Sequence, residues 1–200
     1  CASVDGQSAR ISDGRDMYNN GIISRVNQAA VRMGLEVGMK VIDAAGQLLE
    51  KNPVQVPAAR RQIKVHSDEL GEVFALDTVK YADQRIAGSV LCMGSHAARA
   101  MASYVDDLGF NLSGVITNDV GLSKDKSGIE GLALLDPFDV PAATVDCNTA
   151  RVGDAQSTYF TGRISYLNET AIRIGVKLND PAKLAAHKML QYANDKKNKN

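Results

Sequence analysis

A phrase written twice constrains this chain more than any other feature. "ARISDGRDMY" (9–18) returns as "ARVGDAQSTY" (150–159), and residues 2–34 laid on 143–175 give 14 identities in 33 positions without a gap. Self-similarity of this length marks a unit of architecture, so the fold must hold the same unit in two places. Each copy opens on a short apolar segment, "ASVD" or "ATVD", passes through a polar loop, and enters a stretch with apolar residues three and four apart. Ile23, Val26, Ala30 and Met33 hold those places in the first copy; Phe160, Ile164, Leu167, Ala171 and Ile174 hold them in the second. The unit reads as strand, loop and helix, with Gly34 and Gly175 as helix C-caps. Gly21 and Gly162, with Ser24 and Ser165 one turn on, suit a helix that closes tightly on a sheet.

The second copy ends a series in which strands alternate with helices. "GEVFALD" (71–77), Ser89–Met93, the segment ending at Asn118 and Asp119, and "AATVD" (142–146) read as buried strands, and "ASVD" brings the total to about five. Between them, Ser95 reads as the N-cap of a helix with Ala98, Met101, Ala102 and Val105 inward. Ser127 and Glu130 read as a capping box that opens another. This order predicts an α/β fold with a mainly parallel, doubly wound sheet in a single domain spanning residues 1–200. A short helix is expected through Gln47–Lys51, a proline-containing connector over about 51–62, and a flexible tail over about 194–200.

Composition narrows the class of function. The 23 basic and 23 acidic residues cancel, so no global field favours nucleic acid or an anionic membrane. No apolar run approaches the roughly 20 residues of a membrane span. Cys1, Cys92 and Cys147 form neither a disulfide framework nor a close metal-ligand pair, which points to reduced thiols, a cytoplasmic setting and no metal, and "MGSHAA" is neither a Walker loop nor G-x-G-x-x-G, so no cofactor is expected. Cys1 at the start admits a lipid anchor, a freed nucleophile or a cleavage product; its place at the head of a core strand favours the last.

Ligands of open parallel sheets bind beyond the carboxyl ends of the strands, where this sequence places its polar groups. Ser95 and His96 follow one strand, Asn118 and Asp119 the next, and Asp146, Cys147, Arg151 and Asp154 the third. Arg10 and Asp13 occupy the places of Arg151 and Asp154 in the first copy. A histidine in such a cleft suits acid–base chemistry, with Asp119 as its orienter or a second proton-transfer group and Ser95 beside it. Asn118 and Asp119 equally suit a tight turn. Arg151 either grips a carboxylate at two points or pairs with Asp154 to brace the loop, and the repeat permits both.

"VDCNTA" resembles the C-N-T-A signature of aspartate and glutamate racemases, with Cys147 at the catalytic cysteine. The partner motif G-C-T-H is absent, and Ser95 stands where its cysteine would be. The order "GSHA", "NDVG", "ARVGD" and "GRISYLN" resembles an uncharacterised bacterial family with G-S-H-G, N-D-x-G, S-A-R-I-G-D and G-x-I-S-x-x-N, over residues 72–176 and again 8–34. Ala97 replaces the glycine of that pattern, and the resemblance implies no activity. The expectation is an enzyme acting on a small anionic metabolite, by hydrolysis of an amide or cyclic amide, in a homodimer or larger homo-oligomer. The competing expectation is a non-catalytic ligand-binding or assembly module.

Overall fold

The computed structural model describes residues 1–49 and 62–199. Packing divides them into two units, the first of residues 1–49 with 122–127 and the second of residues 62–121 with 128–199.

The second unit is an α/β domain around a six-stranded sheet. Its strands are β3 (Ile63–Asp68), β4 (Gly71–Leu76), β5 (Val90–His96), β6 (Gly114–Asn118), β7 (Ala142–Val145) and β8 (Ile164–Leu167), lying side by side in that order. β4 to β7 are parallel, whereas β3 and β8 pair antiparallel at the two edges. Because spatial order follows chain order without reversal, the doubly wound expectation is corrected: the sheet has no strand-order switch of the kind that opens a crevice in doubly wound folds.

Alternation along the strands separates two cores. Leu91 and Met93 point into the layer that contains Met101, Ala102 and Val105 of α4 (Arg99–Asp106). Val90, Cys92 and Ile116 point into the other, with Tyr159 of α5 (Ala155–Thr161) and α7 (Ala182–Lys197). Ala182, Ala185, Ala186, Met189 and Leu190 recur at the spacing of one helical face and are buried. Fully burying a Leu or Met side chain stabilises by roughly 1.5–3 kcal/mol, so this face holds α7 to the sheet. Gly114 permits the close approach, since a Cβ there would lie 2.5 Å from Met189 Sδ. α7 continues to Lys197, into the segment expected as a tail.

Several local expectations are corrected. Ser95 caps no helix: it lies in β5, whose register reaches His96 opposite Asn118, and α4 begins after Ala98. The capped start at Ser127–Glu130 does not form, and the helix expected to follow it shrinks to a 3-10 stretch, Ala133–Phe138, because Gly128 and Gly131 bond instead to Ala97, its N–H to Gly128 O at 2.8 Å and its carbonyl from Gly131 N at 2.7 Å. Gly131 has no room for a side chain, with Ala98 O 2.5 Å from its ideal Cβ position. The expected helix through Phe160 and Ile174 is three elements: α5, then β8, then α6 (Glu169–Arg173). Gly162 makes the break, adopting an extended ψ of 140° where a Cβ would meet Thr158 O and Val145.

The first unit contains β1 (Ala2–Val4), α1 (Gly14–Asn20), β2 (Ile23–Val26), α2 (Gln28–Arg32) and α3 (Val41–Leu49). Here too the expected helix is interrupted by a strand, β2, which pairs antiparallel with β1. α3 starts earlier than the expected Gln47, and Lys51 and the connector up to residue 61 lie outside the described residues. The internal hydrogen bonds match those of the second unit at a constant separation of 141 residues. Ala2↔Val26 and Ala143↔Leu167 are register partners, each pair followed by a bulge. Asp5 N bonds to Ile22 O at 2.8 Å, as Asp146 N bonds to Arg163 O at 2.9 Å. Asn27 and Asn168 cap α2 and α6, and Gly34 and Gly175 follow those helices at φ 84° and 82°.

Candidate functional site

The carboxyl ends of β4 to β7 in the second unit gather most of the expected polar groups, and their hydrogen bonds sort them by task. Asn118 is buried and fully engaged: Oδ1 accepts from Val120 N at 2.8 Å, and Nδ2 donates to Ala150 O at 3.0 Å. Asp119 Oδ1 accepts from Gly121 N and Cys147 N, both at 3.1 Å. Together they hold a turn in which Val120 has φ 47°, a left-handed conformation that a β-branched residue resists. Their turn-forming reading is therefore realised.

Asp154 is the N-cap of α5, accepting from Ser157 N at 3.0 Å; Asp13 does the same for α1 through Asp16 N at 2.9 Å. Neither aspartate forms an ion pair with its neighbouring arginine among the described residues. Arg151 is exposed at the loop surface and only its backbone is tied down, N–H to Ser157 Oγ at 2.9 Å. Arg10 is half-buried and pairs with Asp125 at 3.0 Å within the first unit. The repeated aspartate is thus a helix cap in both copies, while the two arginine side chains differ in what they meet.

The Arg151 loop is pinned to the end of β5. Gly153 N donates to Gly94 O at 2.7 Å, and a Cβ on Gly94 would lie 2.5 Å from Asp154 N, so only glycine lets the loop lie so close. Ala155 N reaches Asp77 Oδ1 at 3.3 Å, fixing the other side. Between them opens a polar pocket of about 330 Å³ whose lining includes Asp77, Arg151, Asp154 and Gln156. His96 lies two residues beyond Gly94 and is not part of that lining.

His96 is half-buried, and its Nδ1 accepts from Ala98 N at 3.2 Å. Burial disfavours the charged ring and holds its pKa below the usual 6.5. A neutral imidazole that accepts at Nδ1 carries its proton on Nε2, so His96 presents an N–H donor. The hydrogen bond that orients it comes from the backbone and not from Asp119. Ser95 adjoins it, half-buried at the end of the same strand.

Cys147 lies beside two carboxylates. Its Sγ and one oxygen each of Asp119 and Asp146 fall within 4.8 Å of one another, a set of two hard donors and one soft donor that a divalent cation can bridge. The sequence concealed this group because its members come from two strand ends brought together by β6–β7 pairing. Burial and both carboxylates push the Cys147 thiol up from its ordinary value, and burial alone drives Cys92 far up. Both are held as thiols, unsuited to act as proton-abstracting thiolates near neutral pH.

Among the described residues, no helix is long and apolar enough to cross a membrane. No family model matches the chain, and the curated proteins and solved structures compared with it give no match.

Proposed function

We propose that the second unit binds a small anionic metabolite beyond the carboxyl ends of β4 to β7 and acts on it through His96. The observation that carries this reading is a backbone-oriented His96 whose ring is held toward its neutral form, two residues beyond Gly94, where the loop of Arg151 is pinned, with the His96 Nε2 and the Arg151 guanidinium both without a partner among the described residues. Arg151 supplies two-point recognition of a carboxylate or phosphate. The His96 Nε2–H donates a hydrogen bond to the carbonyl oxygen of an amide or cyclic amide and polarises it toward attack by water, the proton of that water passing to the leaving nitrogen. Asn118, Asp119 and Asp154 keep the loops in place, and Ser95 borders the ring. Cys147 is a spectator in this chemistry, so a racemase-like reaction is the weaker alternative.

The first test is thermal unfolding of the protein and its Arg151→Ala variant against small carboxylates, phosphates and amides. A ligand at 100 times its dissociation constant adds about 2.7 kcal/mol, a shift of several degrees. A shift confined to the parent protein supports the anion site; equal shifts in both proteins sink the role of Arg151. For a compound that is turned over, His96→Asn should abolish turnover and leave the unfolding midpoint near that of the parent.

One observation favours a second reading, a non-catalytic binding or assembly module that forms homo-oligomers. Four of the expected site residues, Asn118, Asp119, Asp154 and Asp13, are spent on hydrogen bonds that shape loops or cap helices. On either reading, residues 2–34 and 143–175 are copies of one duplicated unit.

A further inference from the structure

The matched hydrogen bonds of the two units allow each side chain of α1 and α3 to be compared with its counterpart 141 residues on. Tyr159 is 5% exposed, whereas Tyr18 is 47% exposed; Leu190 is 1% exposed, whereas Leu49 is 86% exposed. Met189 is buried and its counterpart Leu48 is exposed. The difference is selective. Val31 and Ile172, on α2 and α6, are exposed in both units. What distinguishes the first group is its partner: in the second unit α5 and α7 lie on β4, β5 and β6, and β6 pairs parallel with β7. In the first unit β1 pairs only with β2 among the described strands. Its free edge and the apolar face of α1 and α3 therefore adjoin, forming half of a core.

We propose that this edge and face are a docking surface for a partner polypeptide that presents the open edge of a parallel α/β sheet, equivalent to β3–β6. Main-chain pairing to β1 would supply register, and burial of Tyr18, Leu48 and Leu49 would supply affinity, the division of labour in strand addition. A second copy of this chain does not fit, because its β6 is already paired with β7 and its sheet ends on antiparallel strands, β3 and β8. Clustered exposed apolar residues beside an unpaired strand edge are the surface that proteins otherwise cover or charge.

The separation of 141 residues dictates the experiment. Placing a second copy of residues 62–141 directly ahead of Cys1 puts Cys1 where Ala142 stands and offers β1 the edge that β7 already has. In this fusion, amide exchange at Ala2 and Val4, the counterparts of the β7 residues that face β6, should slow at least about a hundredfold, from local fraying toward core behaviour. Tyr18 should lose its reactivity toward a tyrosine-modifying reagent. Unchanged exchange in a fusion whose circular dichroism shows the added segment folded overturns the proposal.

A second measurement uses the full chain without any fusion. Tyr18→Ser combined with Leu49→Gln should leave the unfolding midpoint within about a degree of the parent, since exposed positions contribute little. A drop of several degrees would mean that the face is already used within the chain, and would overturn the proposal. So would light scattering that shows a concentration-dependent dimer in which the same two amides become protected.

Discussion

At the level of single residues, burial decides what His96 can do. The unfolded ring titrates near 6.5 and the folded ring lower. Between those values the unfolded chain binds more protons, so stability falls as pH falls through that interval and is unaffected by this group above 6.5. Urea midpoints followed from about pH 7.5 down to about pH 5 should therefore decline less in His96→Asn than in the parent. Parallel declines would show that the ring is not held neutral by the fold. The same argument shapes any activity profile: the oriented neutral ring persists through neutral pH, and on the acid side protonation of Nδ1 removes the acceptor that Ala98 N uses to orient it.

Elements in this protein are terminated by side chains that serve two strands or helices at once. Asn168 is the clearest case. Its Oδ1 accepts from Ala171 N to cap α6 and from Ala142 N at the start of β7, both at 2.9 Å, while Nδ2 donates to Val140 O at 2.9 Å. It is 4% exposed, so no water replaces those bonds readily. Asn168→Ala would strand two buried donors and one acceptor, and we expect a loss of about 2–4 kcal/mol in chemical denaturation. A loss below about 1 kcal/mol would mean that α6 is capped in another way. The apolar spacing that suggested one long helix spans this same corner, because Gly162 and Asn168 cut it into helix, strand and helix.

For the whole molecule, burial is uneven between the units. β5 and β6 are covered on both faces, with Val90, Leu91, Val115 and Ile116 fully buried, whereas α1 contains no buried residue. Native-state hydrogen exchange should find the β5 and β6 amides opening only with global unfolding, and those of β1 and β2 through lower-energy local opening. Equal protection across both units would contradict that division. Among the described residues, the second unit has the two-layered core that an independent α/β domain needs.

The sequence by itself determined the α/β class and the buried strands β4 to β7, because these depend on local pattern. Buried runs such as "SVLCM" and "GVITN" have a single stable environment, and Gly34 and Gly175 end their helices through a backbone conformation of their own. Tertiary structure decided the rest. Edge strands β3 and β8 depend on a neighbour for their hydrogen bonds, so half-exposed sequences such as "IKVHSD" become strands only beside β4. The roles of the polar residues were equally hidden, since Asn118 and Asp119 read alike as catalysts or braces until their partners at Ala150 and Cys147 came within reach. A hydrogen bond is a property of two groups in space, and the chain separates these by 32 and 28 positions.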